Sequence, residues 1–309
     1  VPYELTRHVD APALAALEQL FRRVEQRDRR PALSDHLLLD LRAGGGPGFV
    51  AATYLTAPHA EPVAYAQASA ANEAVAVEVV VDPDHRPDLD RFGDGLLAEL
   101  VGAVAADGGR AIDWWIHGDD ALVALADRAR FTEVRRLLEM RRTLPAERSA
   151  QVPTRAFVVG RDEPAWVTVN NRAFAGHTEQ GGWTVEALRR REREPWFDPE
   201  GFRIHERDGK MAAFCWTKVH EPTAYEPQRI GEIYVIAVDP DFHGLGLGSQ
   251  LTLAGLDHLA GRHVHLAMLF VDAANAAAVR LYERLGFGAH GSSTAHHLEL
   301  EHTPDAAHR

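Results

Sequence analysis

Gly244, Gly246 and Gly248 stand at alternate positions just ahead of a helical run, Ser249-Gln250-Leu251-Thr252-Leu253. Glycines before a helix start bare the backbone, so N–H groups and the positive end of the helix dipole can meet an anion such as a diphosphate. Two phosphate-binding loops do not fit. A P-loop closes its glycine run with Lys-Ser/Thr, and no such pair follows Gly248. A dinucleotide fingerprint needs glycine at 249, where Ser249 stands, and sits at the first strand of its fold. By itself the stretch also fits a glycine-rich surface turn.

The elements around the glycines narrow the choice. Glu232 to Val238 is apolar and β-branched and reads as a strand, stopped by Asp239-Pro240 because proline offers no N–H to a ladder. Val264 to Val271 is a continuous apolar run of the kind that makes a central strand. Asn275 is a good cap for a helix from Ala276 to Leu285, with Tyr282 two turns down the same face and Gly286-Phe287 at its end. Phe214, Trp216 and Lys218 share one face of another strand, with Cys215, Thr217 and Val219 on the other. Cys215 is most simply a buried small hydrophobe, and Lys218 either snorkels or meets a polar ligand.

The chain has 309 residues, enough for two ordinary domains. A formal net charge of −12 argues against a nucleic-acid partner. Its single cysteine cannot form an internal disulfide, which fits a reducing cytoplasm. No apolar run approaches membrane-spanning length and no basic-then-apolar signal opens the chain, so no membrane partner is expected. His263 and His265 are placed on one strand face, and His296-His297 lie further on. Neither pair has the His-Glu-x-x-His or cysteine context of a metal site, so no metal is expected.

Near the amino terminus Leu14, Leu17, Leu20, Phe21 and Val24 recur at helical steps, with arginines filling the gaps as a solvated face. A short helix is expected after Ser34, and strands at 37–41, 49–55, 62–70 and 75–81. The order of landmarks then recurs. Val81-Asp82-Pro83 matches Val238-Asp239-Pro240, and each is followed by a loop, a Leu-rich helix, and a helix ending on phenylalanine. Asp82 to Phe131 is 49 residues and Asp239 to Phe287 is 48. Two landmarks at one spacing point to a duplicated domain. The expected organisation is a degenerate copy over 1–144, a polar, proline-flanked linker over 145–153 and a catalytic copy over 154–309. In the first copy, Asp84, Asp88, Asp90 and Asp94 stand where an anion would sit, and carboxylates repel a diphosphate. In the second, the residues 176–183 pack His, Glu, Gln, Trp and three glycines together, which suits a substrate-facing loop better than a plain connector.

A strand ending in Asp-Pro, a loop with Gly246 and Gly248, and Asn275, Ala278, Tyr282, Gly286 and Phe287 together resemble the acyl-CoA signature of the Gcn5-related N-acetyltransferases. His243 stands where that family has Gln or Arg, and still offers a ring N–H. NNRAFAGHTEQGGWT (170–184), WFDP (196–199), WTKVH (216–220) and GEIYVIAVDP (231–240) resemble, more narrowly, tandem members of the family with only the carboxyl-terminal copy active. The resemblance covers nearly the whole chain. It implies an α/β fold of the α+β mixed-sheet kind, two tandem acetyltransferase domains, acetyl-CoA as co-substrate, and a small thiol-sugar, cysteinyl-glucosaminyl-inositol, as acceptor of acetyl on its cysteinyl amine. A monomer is expected.

The resemblance also implies site residues. Ile236, Ala237, Val238, His243, Gly244, Leu245, Gly246, Leu247, Gly248, Ser249, Asn275, Ala276, Ala277, Ala278, Val279 and Arg280 would hold the cofactor. Val79, Val80 and Val81 would hold a second molecule in the first copy. Glu179, Lys218, Glu232 and Phe270 would touch the acceptor, with Asp35 added from the first copy. Phe270 replaces a family tyrosine. For the chemistry, an α-amine with a pKa near ~8 must lose a proton before attack, and Glu232 is the candidate base. Amides around Ile236 to Val238 could polarise the thioester carbonyl, and Tyr282 could protonate a leaving thiolate. Without this frame, Glu232 is a strand-end carboxylate and Tyr282 a core aromatic. Two other functions share these features: acetylation of a different amine, such as an aminoglycoside or a protein N-terminus, and non-catalytic sensing of acyl-CoA.

Overall fold

The computed structural model describes residues 3–45, 49–56, 61–70, 75–175, 181–223 and 226–300, with the side chains of 35, 36 and 54–56 outside the description. The elements run β1 (Tyr3–Thr6), α1 (Ala11–Asp28), α2 (Asp35–Arg42), β2 (Val50–Thr56), β3 (Glu61–Ala70), β4 (Val75–Val81), α3 (Leu89–Ala106), β5 (Ala111–His117), α4 (Asp120–Arg128) and β6 (Thr132–Thr143). They continue as β7 (Arg155–Ala156), α5 (Glu163–Ala173), α6 (Val185–Arg191), β8 (Phe202–Arg207), β9 (Lys210–His220), β10 (Ile230–Val238), α7 (Leu247–Gly261), β11 (Leu266–Asp272), α8 (Ala276–Arg284) and β12 (Gly288–Glu299). No helix among the described residues is long and apolar enough to cross a membrane.

Contacts divide the chain into two units. One comprises residues 1–136, 224–226 and 292–309; the other comprises 137–223 and 227–291. In the first unit the sheet order is β1-β2-β3-β4-β5, followed by residues 293–299 of β12 antiparallel to β5. In the second, residues 137–143 of β6 lie antiparallel to β11, and the order continues β11-β10-β9-β8-β7. Both sheets are mixed, with β4–β5 and β10–β11 as the parallel pairs. Each unit thus draws one strand from the far end of the other unit's sequence.

The sheet faces bury apolar side chains as the strand alternation requires. In the second unit Cys215, Ile233, Ala267, Leu269 and Val271 face the apolar side of α7 and α8. Phe202, Phe214, Trp216 and Val235 face the opposite way, onto Trp166 of α5. Burial pushes the Cys215 thiol up to about 12, so it is no nucleophile. The segment 145–153 is not loose: the Ala150 amide donates to Asp257 at 3.0 Å and the Gln151 amide to Gln250 at 2.7 Å, both on α7.

Two local expectations are corrected. Residues 37–41 belong to α2, because Ser34 starts a helix and the apolar run Leu37-Leu38-Leu39 turns one face to the α1 core instead of pairing. His263 sits in a left-handed turn at φ 58° before β11, so it shares no strand face with His265.

The repeated landmarks form the same local structures. Asp82 and Asp239 each end a strand, accept from the amide two residues on (3.0 and 2.9 Å) and meet an arginine, Arg23 or Arg172. Asp119 and Asn275 each cap a helix whose end returns a phenylalanine amide to the eighth residue of the motif, Phe131 to Ala126 and Phe287 to Tyr282. The intervening turn needs positive φ, supplied by Arg130 at 67° and Gly286 at 82°.

Candidate active site

β10 and β11 run parallel only from Ile230–Leu266 to Glu232–Met268, and there their pairing ends. β10 stays bonded to β9 through Val238. The Asp239 amide donates to the Ala212 carbonyl at 2.9 Å, which makes Val238–Ala213 a non-hydrogen-bonded pair. Antiparallel alternation then directs the Ala237 N–H to β9, and those of Ile236 and Val238 into the gap beside β11. Of the three amides expected to serve the cofactor, two face the gap and the third is used in the sheet. The bulge between Ile233 and Val235 sits at the mouth of this gap and re-aims Tyr234.

The glycine loop opens at the end of β10. Gly244 and Gly246 hold φ of 79° and 72°, which favours glycine, and a Cβ on either would meet nothing within 4 Å. Gly248 serves packing: a Cβ there would lie 3.3 Å from Leu281 on α8. That contact brings the N-terminus of α7, with Leu247, Gly248 and Ser249, close to α8. The Asn275 side chain caps α8 by accepting from the Ala278 amide at 3.1 Å. Asn275, Ala276, Ala277 and Arg280 are exposed, while Ala278 and Val279 lean on the core. Leu245 is exposed at the loop tip. The His243 ring N–H is donated back to the Val238 carbonyl at 3.1 Å, so it braces the loop.

Glu232 is 8% exposed and lies on the sheet face opposite α7. Strand register sets its neighbours: Lys218 on β9, Met268 on β11 and, beyond Met268, Arg141 on β6. Phe270 and Glu139 form the next row, and Phe270 is 46% exposed. Lys218 Nζ stands 4.7 Å from the Trp196 ring centroid and 5.7 Å from that of Tyr234, so its charge is held by two aromatic faces. Tyr282 is buried against Phe287 with ring centroids 5.9 Å apart, and burial raises its pKa, with the neighbouring Cys215 adding to the shift. It therefore keeps its proton at neutral pH, as a proton donor must.

Sequence reasoning missed three residues here. His220 lies within WTKVH, yet only the pairing of β9 with β10 shows its Nε2 at 2.7 Å from Glu232 Oε2. Arg141 and Glu139, ion-paired at 2.5 Å, reach this face because β6 lies next to β11. Glu179 falls outside the described residues, as does the Asp35 side chain. The 176–183 loop is described only from Gly181, where Trp183 and Asn171 exchange hydrogen bonds of 2.8 and 2.9 Å.

The first unit repeats the splay of its parallel strands. β4 and β5 part after Val77–Trp114, and the Asp82 amide donates to Val63, so the N–H groups of Val79 and Val81 face the gap and that of Val80 faces β3. The cavity lined by Val79, Val80 and Val81 is about 30 Å³, room for roughly one water. Ser69 lies five residues after Ala64, as Lys218 does after Ala213, and its partner on β4 is Ala76. Ala76 thus stands in the place of Glu232, and Ala126 in that of Tyr282.

Residues 167–287 match the acetyltransferase (GNAT) family. The chain is similar to the mycothiol acetyltransferase of Stackebrandtia nassauensis, 42% identical over 308 residues, covering 96% of this chain and 99% of that one. It is 46% identical over 261 residues to the mycothiol acetyltransferase of Thermobispora bispora, covering 82% and 85%. Among solved structures it resembles a GCN5-related N-acetyltransferase from Sphaerobacter thermophilus, with a TM-score of 0.71, 20% identity and 96% of each chain covered. A tandem GNAT protein from the clavulanic acid biosynthesis pathway superposes at a TM-score of 0.64, with 14% identity, covering 97% of this chain and 99% of that one. These two likenesses concern the fold.

Proposed function

The chain belongs to the mycothiol acetyltransferase family, and from that premise we propose that it transfers acetyl from acetyl-CoA to the cysteinyl amine of cysteinyl-glucosaminyl-inositol, giving mycothiol and CoA. The observation that carries this reading is the position of Glu232. It sits where β10 and β11 part, in register with Lys218, beside a gap into which the Ile236 and Val238 amides point.

The bare backbone at Gly244 and Gly246 leaves space for a diphosphate at the start of α7, where the helix dipole favours negative charge. Pantetheine would lie in the gap, taking up the main-chain groups that β11 leaves unpaired. The Ile236 and Val238 amides would stabilise negative charge on the thioester oxygen. Glu232 removes a proton from the ammonium group, directly or through water, and the freed amine attacks. Tyr282, held protonated by burial, supplies the proton that the departing thiolate takes up. Lys218, Phe270 and the Arg141–Glu139 pair line the face on which the acceptor would rest.

Incubation with acetyl-CoA and cysteinyl-glucosaminyl-inositol, followed by mass spectrometry, tests the proposal. A gain of one acetyl group on the cysteinyl nitrogen is expected, and lost in Glu232→Gln. Acetylation of an aminoglycoside or a peptide amine in preference to the thiol-sugar would overturn the substrate. Acetyl-CoA binding without turnover on any amine would make the chain a sensor.

A further inference from the structure

We propose that His220 is the positioning residue of the base, fixing the Glu232 carboxylate by one oxygen. The inference rests on Glu232 acting as base.

The geometry begins with β9, which outruns β8. Their last pair on this side is Phe202–Trp216, so residues 217–220 have no β8 neighbour. The segment 195–198 stands off this edge and leaves a cleft of about 580 Å³, whose lining includes Trp196, Asp198, Lys218, His220, Arg229 and Arg262. Glu232 is not among the cleft's lining residues. The two side chains differ in access, 35% exposed for His220 against 11% for Glu232. His220 is therefore the wetter member of a pair whose other member is buried.

The carboxylate can only accept, so the 2.7 Å contact places a hydrogen on His220 Nε2. Donation from Nε2 fixes Glu232 Oε2 and leaves Oε1 for the amine. Other charges around the ring are largely matched to one another. Arg229 pairs with Glu221 at 3.0 Å, Asp198 takes His258 at 3.3 Å and Arg262 at 3.5 Å, and Lys218 is held over the two aromatic rings. Glu232 is the anion the ring itself contacts.

The experiment measures kcat and KM at pH 8 for wild type, His220→Gln, His220→Ala and Glu232→Gln. His220→Gln keeps an N–H donor and should retain kcat within about five-fold, whereas His220→Ala should lose on the order of 10- to 100-fold in kcat with KM for acetyl-CoA unchanged. A wild-type kcat in His220→Ala, or a His220→Gln no faster than His220→Ala, overturns the role of His220. Full activity in Glu232→Gln instead overturns the reading of Glu232 as base. Should His220→Ala fail to fold, His220→Leu, which fills the same space without a donor, takes its place.

Discussion

Arg172 Nη2 lies 3.3 Å from Asp239 Oδ1, tying α5 to the residue that ends β10 and starts the glycine loop. The same oxygen accepts the Asp241 amide at 2.9 Å, so one buried carboxylate fixes both the helix and the turn. Asp239→Ala should cost about 1–3 kcal/mol of stability. It should also raise KM for acetyl-CoA several-fold with a smaller change in kcat. Thermal unfolding and steady-state kinetics measure both. Arg172 is half exposed, and Arg172→Ala should cost less than ~1 kcal/mol.

Tyr282→Phe keeps the ring contact with Phe287 and removes only the hydroxyl. The fold should persist while kcat falls on the order of 100-fold, with little change in KM. Burial raises the Tyr282 pKa, so the proton is present throughout the neutral range. The wild-type rate should therefore show no loss from tyrosine ionisation as pH rises from 7 to 9. A fall in that range that disappears in Tyr282→Phe would contradict this.

Gly246→Ala forces a Cβ onto a left-handed residue at φ 72° and should cost about 1–2 kcal/mol locally. The Cβ itself meets only open space, so binding should suffer more than folding. The expected readout is weaker acetyl-CoA binding by calorimetry with a melting temperature within a few degrees of wild type.

Asp162 reports on stability alone. Burial pushes its carboxyl up, but Arg155, Arg161 and the Val158 amide outweigh that and hold it below the usual range. A depressed carboxyl stabilises above its unfolded value near ~3.9, and that contribution is lost as pH falls through the folded value. Asp162→Asn should therefore melt lower than wild type at pH 7, and the gap should close below about pH 4. Parallel melts of the two proteins across pH measure it.

Local chemistry was legible in the sequence wherever one segment carries its own instructions. Asn275, Tyr282 and Gly286 define a capped helix and its end by spacing alone, and Asp239-Pro240 marks a strand stop. Residues 37–41 were ambiguous because a short apolar run fits a buried strand or a helix face equally well. His220 and Arg141 were hidden for a different reason. Their place beside Glu232 depends on which strands pair and in which register, and neither is written in any local pattern. The first copy's loss of acidic and phenolic groups, at Ala76 and Ala126, becomes visible only once pairing sets the equivalence.

The assignment of residues 292–299 to the first unit and of residues 137–143 to the second bears on where the chain can be cut. Deleting residues 1–136 would leave Ser292–Glu299 with no β5 to pair against, and deleting the carboxyl-terminal half would strip β5 of that same neighbour. Cutting the chain between its two repeats therefore removes a strand from each sheet, and neither half of the sequence carries a complete sheet on its own.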